Sequence, residues 1–128
     1  MTPAMIAMLA FVLHRPLPLV NLVAGVGGLD AVALVECESQ FNPNALRVEP
    51  RGHTSYGLFQ LDSEWHDQLR GNLQAHVYAG VLFLTLCKMK TNDELAGAVE
   101  LYNGSRSWGY TVQKKRDSLA LYLWRHLR

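Results

Sequence analysis

The sequence predicts a mainly α-helical α+β domain with one small irregular or β-hairpin lobe. Three observations predict it. Apolar residues recur at helical spacing through most of the chain. That periodicity lapses from Ala45 to Ser63, where Pro50, Gly52 and Gly57 punctuate the chain. Finally, 128 residues with 49% apolar and 18% charged content suit a single domain with one hydrophobic core. Residues 1–128 are therefore read as one domain, with N-terminal helices in 1–28 and the core of the fold in 29–124.

The first helix is expected over Ala4 to Leu13. Thr2-Pro3 supplies an N-cap and a proline at the first helical position, and Pro16 supplies the stop. This apolar run is about half of the roughly 20 residues a membrane-spanning helix needs. It also lacks a basic leader and a clean small-residue cleavage site, so a packed helix is expected, with a degenerate export signal as the alternative. Pro18 to Val26 forms a second short helix, ended by Gly25-Val26-Gly27-Gly28. The third, Leu29 to Ser39, carries Asp30 near its start, where a negative charge suits the helix dipole. Val32, Leu34 and Val35 face inward, which leaves Glu38 at the C-terminal end before Asn42-Pro43-Asn44 breaks the helix.

Ala45 to Ser63 is read as a loop or short β-hairpin, with Tyr56 to Leu61 entering the core. Leu73 to Lys88 is apolar on nearly all sides, which predicts a central buried helix of roughly four turns. Thr91 and Glu94 form a capping box for a helix over Asn92 to Tyr102 that ends at Gly104. The last helix is placed from Tyr110 to His126, with Leu119, Tyr122, Leu123 and Leu127 on its inner face.

Charge and composition narrow the function. A net charge of +1 argues against strong electrostatic capture of nucleic acid or an anionic membrane. The late basic residues Lys114, Lys115, Arg116, Arg125 and Arg128 decorate the exposed face and end of the last helix instead. Cys37 and Cys87 are either one bridge or two buried thiols. His14, His53, His66, His76 and His126 show neither helical pairing nor a cysteine neighbour, so no metal and no cofactor is expected.

Three short motifs follow one another: Glu38-Ser39-Gln40-Phe41-Asn42-Pro43, Ser55-Tyr56-Gly57-Leu58-Phe59-Gln60, and Leu101-Tyr102-Asn103-Gly104. In this order, from about Leu29 to Leu123, they resemble the lysozyme-like superfamily, in its soluble lytic transglycosylase and goose-type lysozyme branch. Phe59 stands for a usual methionine, Leu101 for a usual alanine, and His76 for a frequent asparagine; Gly80 and Tyr110 fit the pattern. The resemblance implies a helical domain whose small lobe flanks a substrate cleft. It implies cleavage of peptidoglycan between N-acetylmuramic acid and N-acetylglucosamine, with Glu38 as the catalytic acid.

The stretch from Glu38 to Ser63 also resembles chicken-type lysozyme without a gap. That family has its second carboxylate just before Tyr-Gly; this chain has Ser55. A retaining hydrolase needs that group about 5 Å from the acid, so a lytic transglycosylase is expected, with Glu38 as acid and then base. Burial among Phe41, Tyr56, Phe59 and Tyr102 would raise its pKa. Ser55 and Tyr102 would orient substrate or the glutamate, Tyr56 would assist, and Gln60 and Asn103 would bind sugar hydroxyl or acetamido groups. The alternative is an inverting hydrolase in which Asp62 is the second carboxylate, although Asp62 reads equally well as a cap for the segment after it. The other acidic position of the goose-type pattern falls at Arg51; Glu36 points elsewhere on the helix, and Glu49 lies in the loop without an assigned place. A third reading is a non-catalytic glycan-binding or virion structural protein. Partners follow from the substrate: peptidoglycan strands, no nucleic acid, no stable membrane span, and a monomer. Action is expected in the periplasm or cell wall, reached by export or by phage delivery.

Overall fold

Thr2 begins the first helix, α1 (Pro3–Leu13), by accepting a hydrogen bond from the Met5 amide at 3.2 Å. The computed structural model describes residues 1–50 and 52–127; Arg51 lies outside them. α1 ends where His14 turns left-handed, and α2 (Leu17–Ser39) follows. The two helices expected between Pro18 and Ser39 follow one another along α2, and a kink at Gly28 divides them. Gly25, Val26 and Gly27 stay helical, and only Gly28 departs, at φ 70° and ψ −162°, a conformation that glycine alone adopts cheaply.

α2 organises the core. It touches α1, α4 and α6 and buries Val20 and Val23 before the kink and Ala31 to Val35 after it. Among the described residues it is the one helix long and apolar enough to cross a membrane. In this fold much of that apolar surface meets its own neighbours. The next residue on the helix, Glu36, is also buried and accepts a two-pronged bond from the Arg15 guanidinium, at 2.7 and 2.9 Å. It points away from Glu38, as expected from their spacing on a helix.

The lobe from Ala45 to Ser63 is a three-stranded antiparallel sheet, β1 (Leu46–Val48), β2 (Thr54–Tyr56) and β3 (Leu61–Asp62), in that order. Its register sets Arg47 opposite Ser55, and Ser55 opposite Asp62. Tyr56 to Leu61 are all buried, as the sequence predicted. α3 (Ser63–His66) and a single 3-10 turn lead to α4 (Leu73–Lys90).

α4 corrects one expectation. It buries His76, Val77, Gly80, Leu84 and Cys87, while Tyr78, Leu82, Leu86 and Met89 are exposed. The helix is long and central, yet it is buried along one face only; an apolar composition does not by itself say how many neighbours a helix has. Gly80 makes the closest approach, since a Cβ there would lie 2.2 Å from Cγ of the fully buried Phe59. Alanine favours a helix over glycine by about 1 kcal/mol, but overpacking a closed core costs about 1–3 kcal/mol. Gly80→Ala is therefore expected to destabilise the fold by about 1 kcal/mol, read as a lower melting temperature.

Two more helix starts differ from expectation. α5 (Leu95–Asn103) begins three residues later than predicted because Asn92 and Asp93 are left-handed, at φ 54° and 64°. The Thr91–Glu94 capping box does not form. Thr91 Oγ1 instead bonds back to the Cys87 carbonyl at 3.0 Å and closes α4. Gly104 ends α5 with φ 82°, as predicted. α6 (Arg106–His126) starts four residues earlier than predicted, capped by Ser105, and buries Gly109, Val112, Leu119 and Leu123. Leu127 is exposed rather than inward. Cys37 and Cys87 are both free, which selects the thiol alternative; burial pushes the Cys37 thiol up to about 11.

Candidate active site

The end of α2 is fixed from below. Ser39 Oγ donates to the Leu58 carbonyl at 2.8 Å, joining the helix to the segment after β2. Gln40 and Phe41 then take left-handed φ values of 53° and 59°, so the chain turns sharply and seats Phe41 in the core. Glu38 is left half-buried on the wall of a cleft of about 620 Å³, within the range of small-ligand sites.

Two donors reach its carboxylate. Trp108 Nε1 donates to Oε1 at 2.7 Å and Asn103 Nδ2 donates to the same oxygen at 3.2 Å. Desolvation pushes the Glu38 pKa above its ordinary value; the two hydrogen bonds and nearby Arg47 oppose that rise, and nearby Glu49 adds to it. The raised direction means that burial outweighs the hydrogen bonds. A carboxyl in this state keeps its proton to a higher pH, which general-acid chemistry requires.

The sheet supplies another part of the cleft lining. Arg47 and Ser55 are direct cross-strand partners and so share a face, and Asp62 joins them opposite Ser55. Glu49 lies two residues beyond Arg47, with its amide donating to the His53 carbonyl at 2.8 Å, so the ladder carries it to the same face. Ser55 Oγ donates to Glu49 Oε1 at 2.7 Å, and Arg47 Nε donates to the same oxygen at 2.9 Å. These bonds hold the Glu49 pKa below its ordinary value, the Ser55 hydroxyl contributing most.

The other predicted residues divide. Asp62 lines the cleft, but its Oδ1 accepts from the Glu64 amide at 2.8 Å as the cap of α3 and stands 2.8 Å from His53 Nδ1. Tyr102 lines the cleft and donates its hydroxyl to the Phe59 carbonyl at 2.6 Å. Gln60 reaches the cleft wall while its amide donates to the Gly57 and Ala45 carbonyls. Tyr56 is not brought to this cleft. Strand alternation turns it away from Ser55, so its ring lies 5.4 Å from that of His76 and its hydroxyl donates to the His66 carbonyl. His76 accepts the Phe59 amide at 3.0 Å, and burial lowers its pKa to about 4. At that position the histidine acts as a neutral core acceptor.

Sequence reasoning missed Trp108 and left Glu49 without a place. Ser105 followed by helix-compatible residues was the available signal for Trp108, because it moves the start of α6 forward. No short-range signal places Glu49; only the hairpin register does. Among the described residues, one group has metal-ligand spacing: His53, Asp62 and Glu64. His53 turns Nδ1 towards Asp62, at 2.8 Å, and Nε2 towards Glu64, at 3.8 Å.

Glu38, half-buried with a raised pKa, and Glu49, held with a lowered one, thus line one cleft. The chain is 44% identical to Lysozyme C of Takifugu rubripes over 41 residues, a stretch that is 32% of this chain and 29% of that protein. The chain thus spans well under two thirds of the relative it matches, and the relationship is lysozyme-like over that stretch. No protein-family model matches the chain, and no solved structure matches it.

Proposed function

We propose that this chain cleaves the glycan strands of bacterial peptidoglycan between N-acetylmuramic acid and N-acetylglucosamine, with Glu38 as the general acid. The observation that carries the reading is Glu38 itself, half-buried on a cleft wall, with its pKa raised and its carboxyl held by Trp108 and Asn103. Trp65 is 70% exposed at the rim of the same cleft, a flat apolar face suited to a sugar ring. The lysozyme-like stretch supports the same substrate. Action at the cell wall, reached by export or phage delivery, belongs to this proposal.

The expected transglycosylase outcome uses one carboxylate and forms 1,6-anhydromuramic ends. It rested on Ser55 leaving Glu38 without a partner. Hydrolysis is favoured by a specific observation: the Ser55 hydroxyl positions Glu49 instead of replacing a carboxylate. Mass spectrometry of digested peptidoglycan separates the two, since hydrolysis gives reducing ends and transglycosylation gives anhydro ends. Finding neither product would reject the activity.

Trp108→Phe tests how the acid is held. The indole N–H stabilises the charged carboxylate, so its loss moves the Glu38 pKa further up. Because Glu38 must be protonated to act, the alkaline limb of the pH–rate profile shifts to higher pH. Turnover at the optimum is expected to fall about tenfold to a hundredfold as the carboxyl loses its orientation.

A further inference from the structure

The geometry points to Glu49 as the second catalytic carboxylate, the base that activates water in an inverting hydrolysis. This rests on the reading of Glu38 as the acid. Glu49 lines the same cleft as Glu38, and its charge adds to the rise of the Glu38 pKa. Its support is specific. Ser55 and Arg47 both donate to Oε1, and among the described residues no hydrogen-bond donor meets Oε2. Oε1 thus fixes the group among the residues that line the cleft.

Asp62 caps α3 through Oδ1, and the charges that act on Glu38 are those of Arg47 and Glu49. Ser55 thereby gains a role its chemistry allows. A hydroxyl cannot stabilise a sugar cation as a carboxylate does, but it can hold one in place from a neighbouring strand. Inverting enzymes keep their carboxylates roughly 6.5–9.5 Å apart so that a water fits between acid and base. Glu38 at the end of α2 and Glu49 beyond β1 come to the cleft from separate elements, which suits that spacing better than neighbours on one strand.

The step balances without any further reactant than water. Glu38 gives its proton to the glycosidic oxygen, and the C1–O bond breaks with its electron pair on the leaving sugar. A water oxygen forms the new bond to C1 from the opposite face while its proton passes to Glu49 Oε2. Solvent exchange then returns Glu49 to the carboxylate and Glu38 to the acid.

The test uses the full chain on purified peptidoglycan sacculi, with Glu49→Gln and Glu49→Ala beside the parent protein. The parent is expected to release reducing ends. Glu49→Gln is expected to lose about a hundredfold or more in turnover, with its melting temperature and its binding to undigested strands within normal error of the parent. Glu49→Ala in added azide is expected to regain turnover and to yield a glycosyl azide of inverted configuration. A merely structural role for Glu49 would give no azide rescue. Anhydro ends from the parent, or Glu49→Gln within threefold of it, would overturn the assignment while leaving Glu38 as the acid. No cleavage by the parent at all would instead reject the reading on which this assignment rests.

Discussion

Glu38→Gln is expected to reduce cleavage of cell-wall suspensions by about a thousandfold, at the upper part of the range for losing a general acid. The amide keeps the size of the side chain. Its carbonyl oxygen still accepts from Trp108 and Asn103, the two donors that hold Oε1 now. What it lacks is a proton acidic enough to give to a leaving sugar. The fold should not suffer. Because the folded-state pKa of Glu38 is raised, its ionised form is the disfavoured one. The stabilising contribution of the protonated group is therefore full below the ordinary carboxylate pKa and is lost as pH rises through the raised folded value. The glutamine variant should match the parent's melting temperature in acid and equal or exceed it at neutral pH. Lysis within threefold of the parent would remove Glu38 from the mechanism.

The same residue shows how much of the site could be read from sequence. A glutamate at the end of an apolar helix, followed by a serine and a break, specifies its own surroundings locally. Ser39 ties the helix end down, and Gln40 and Phe41 turn the chain. The caps at Thr2 and Gly104 were legible for the same reason, since each needs only its own few residues. The Thr91–Glu94 pattern shows the limit of that logic. Its spacing was right for a capping box, but the left-handed Asn92 and Asp93 between them redirect Thr91 to the end of α4.

Longer-range features were not legible. The one-sided burial of α4 depends on which neighbours exist: Val77, Gly80 and Leu84 meet the core, whereas Tyr78, Leu82 and Leu86 do not, and both sets are apolar. Glu49 depends on hairpin register, and a slip of one residue would turn it to the other face of the sheet. Trp108 reaches Glu38 from 70 residues away in sequence. The placement of Glu38 was thus readable from its own helix. Trp108 and Glu49, which act on its carboxyl, come from an early α6 and from the hairpin just after β1, and only the folded chain brings them near it.

Arg15→Met is expected to cost about 3 kcal/mol of stability, a large share of the roughly 5–15 kcal/mol of a typical domain. Arg15 sits just after α1 and grips Glu36 with a fork of bonds at 2.7 and 2.9 Å. The two partners differ in exposure, with side chains 29% and 8% accessible. Removing the arginine therefore strands a carboxylate that has little access to water, and that asymmetry makes the cost far larger than for a surface pair. Partial access on the arginine side places the value at the lower end of the range for broken buried pairs. Replacing both partners, as Arg15→Met with Glu36→Leu, should recover most of the loss, because no charge is then left behind. Denaturant unfolding of the two single variants and the double closes the cycle. A deficit below 1 kcal/mol for Arg15→Met would mean that Glu36 finds another partner or water. Since neither residue lines the cleft, turnover of the folded fraction should stay at the parent's level. Stability and the proposed catalysis would then separate at two glutamates only two positions apart on α2: Glu36 joins the end of α1 to the core, and Glu38, turned to the other side by the helix, lines the cleft.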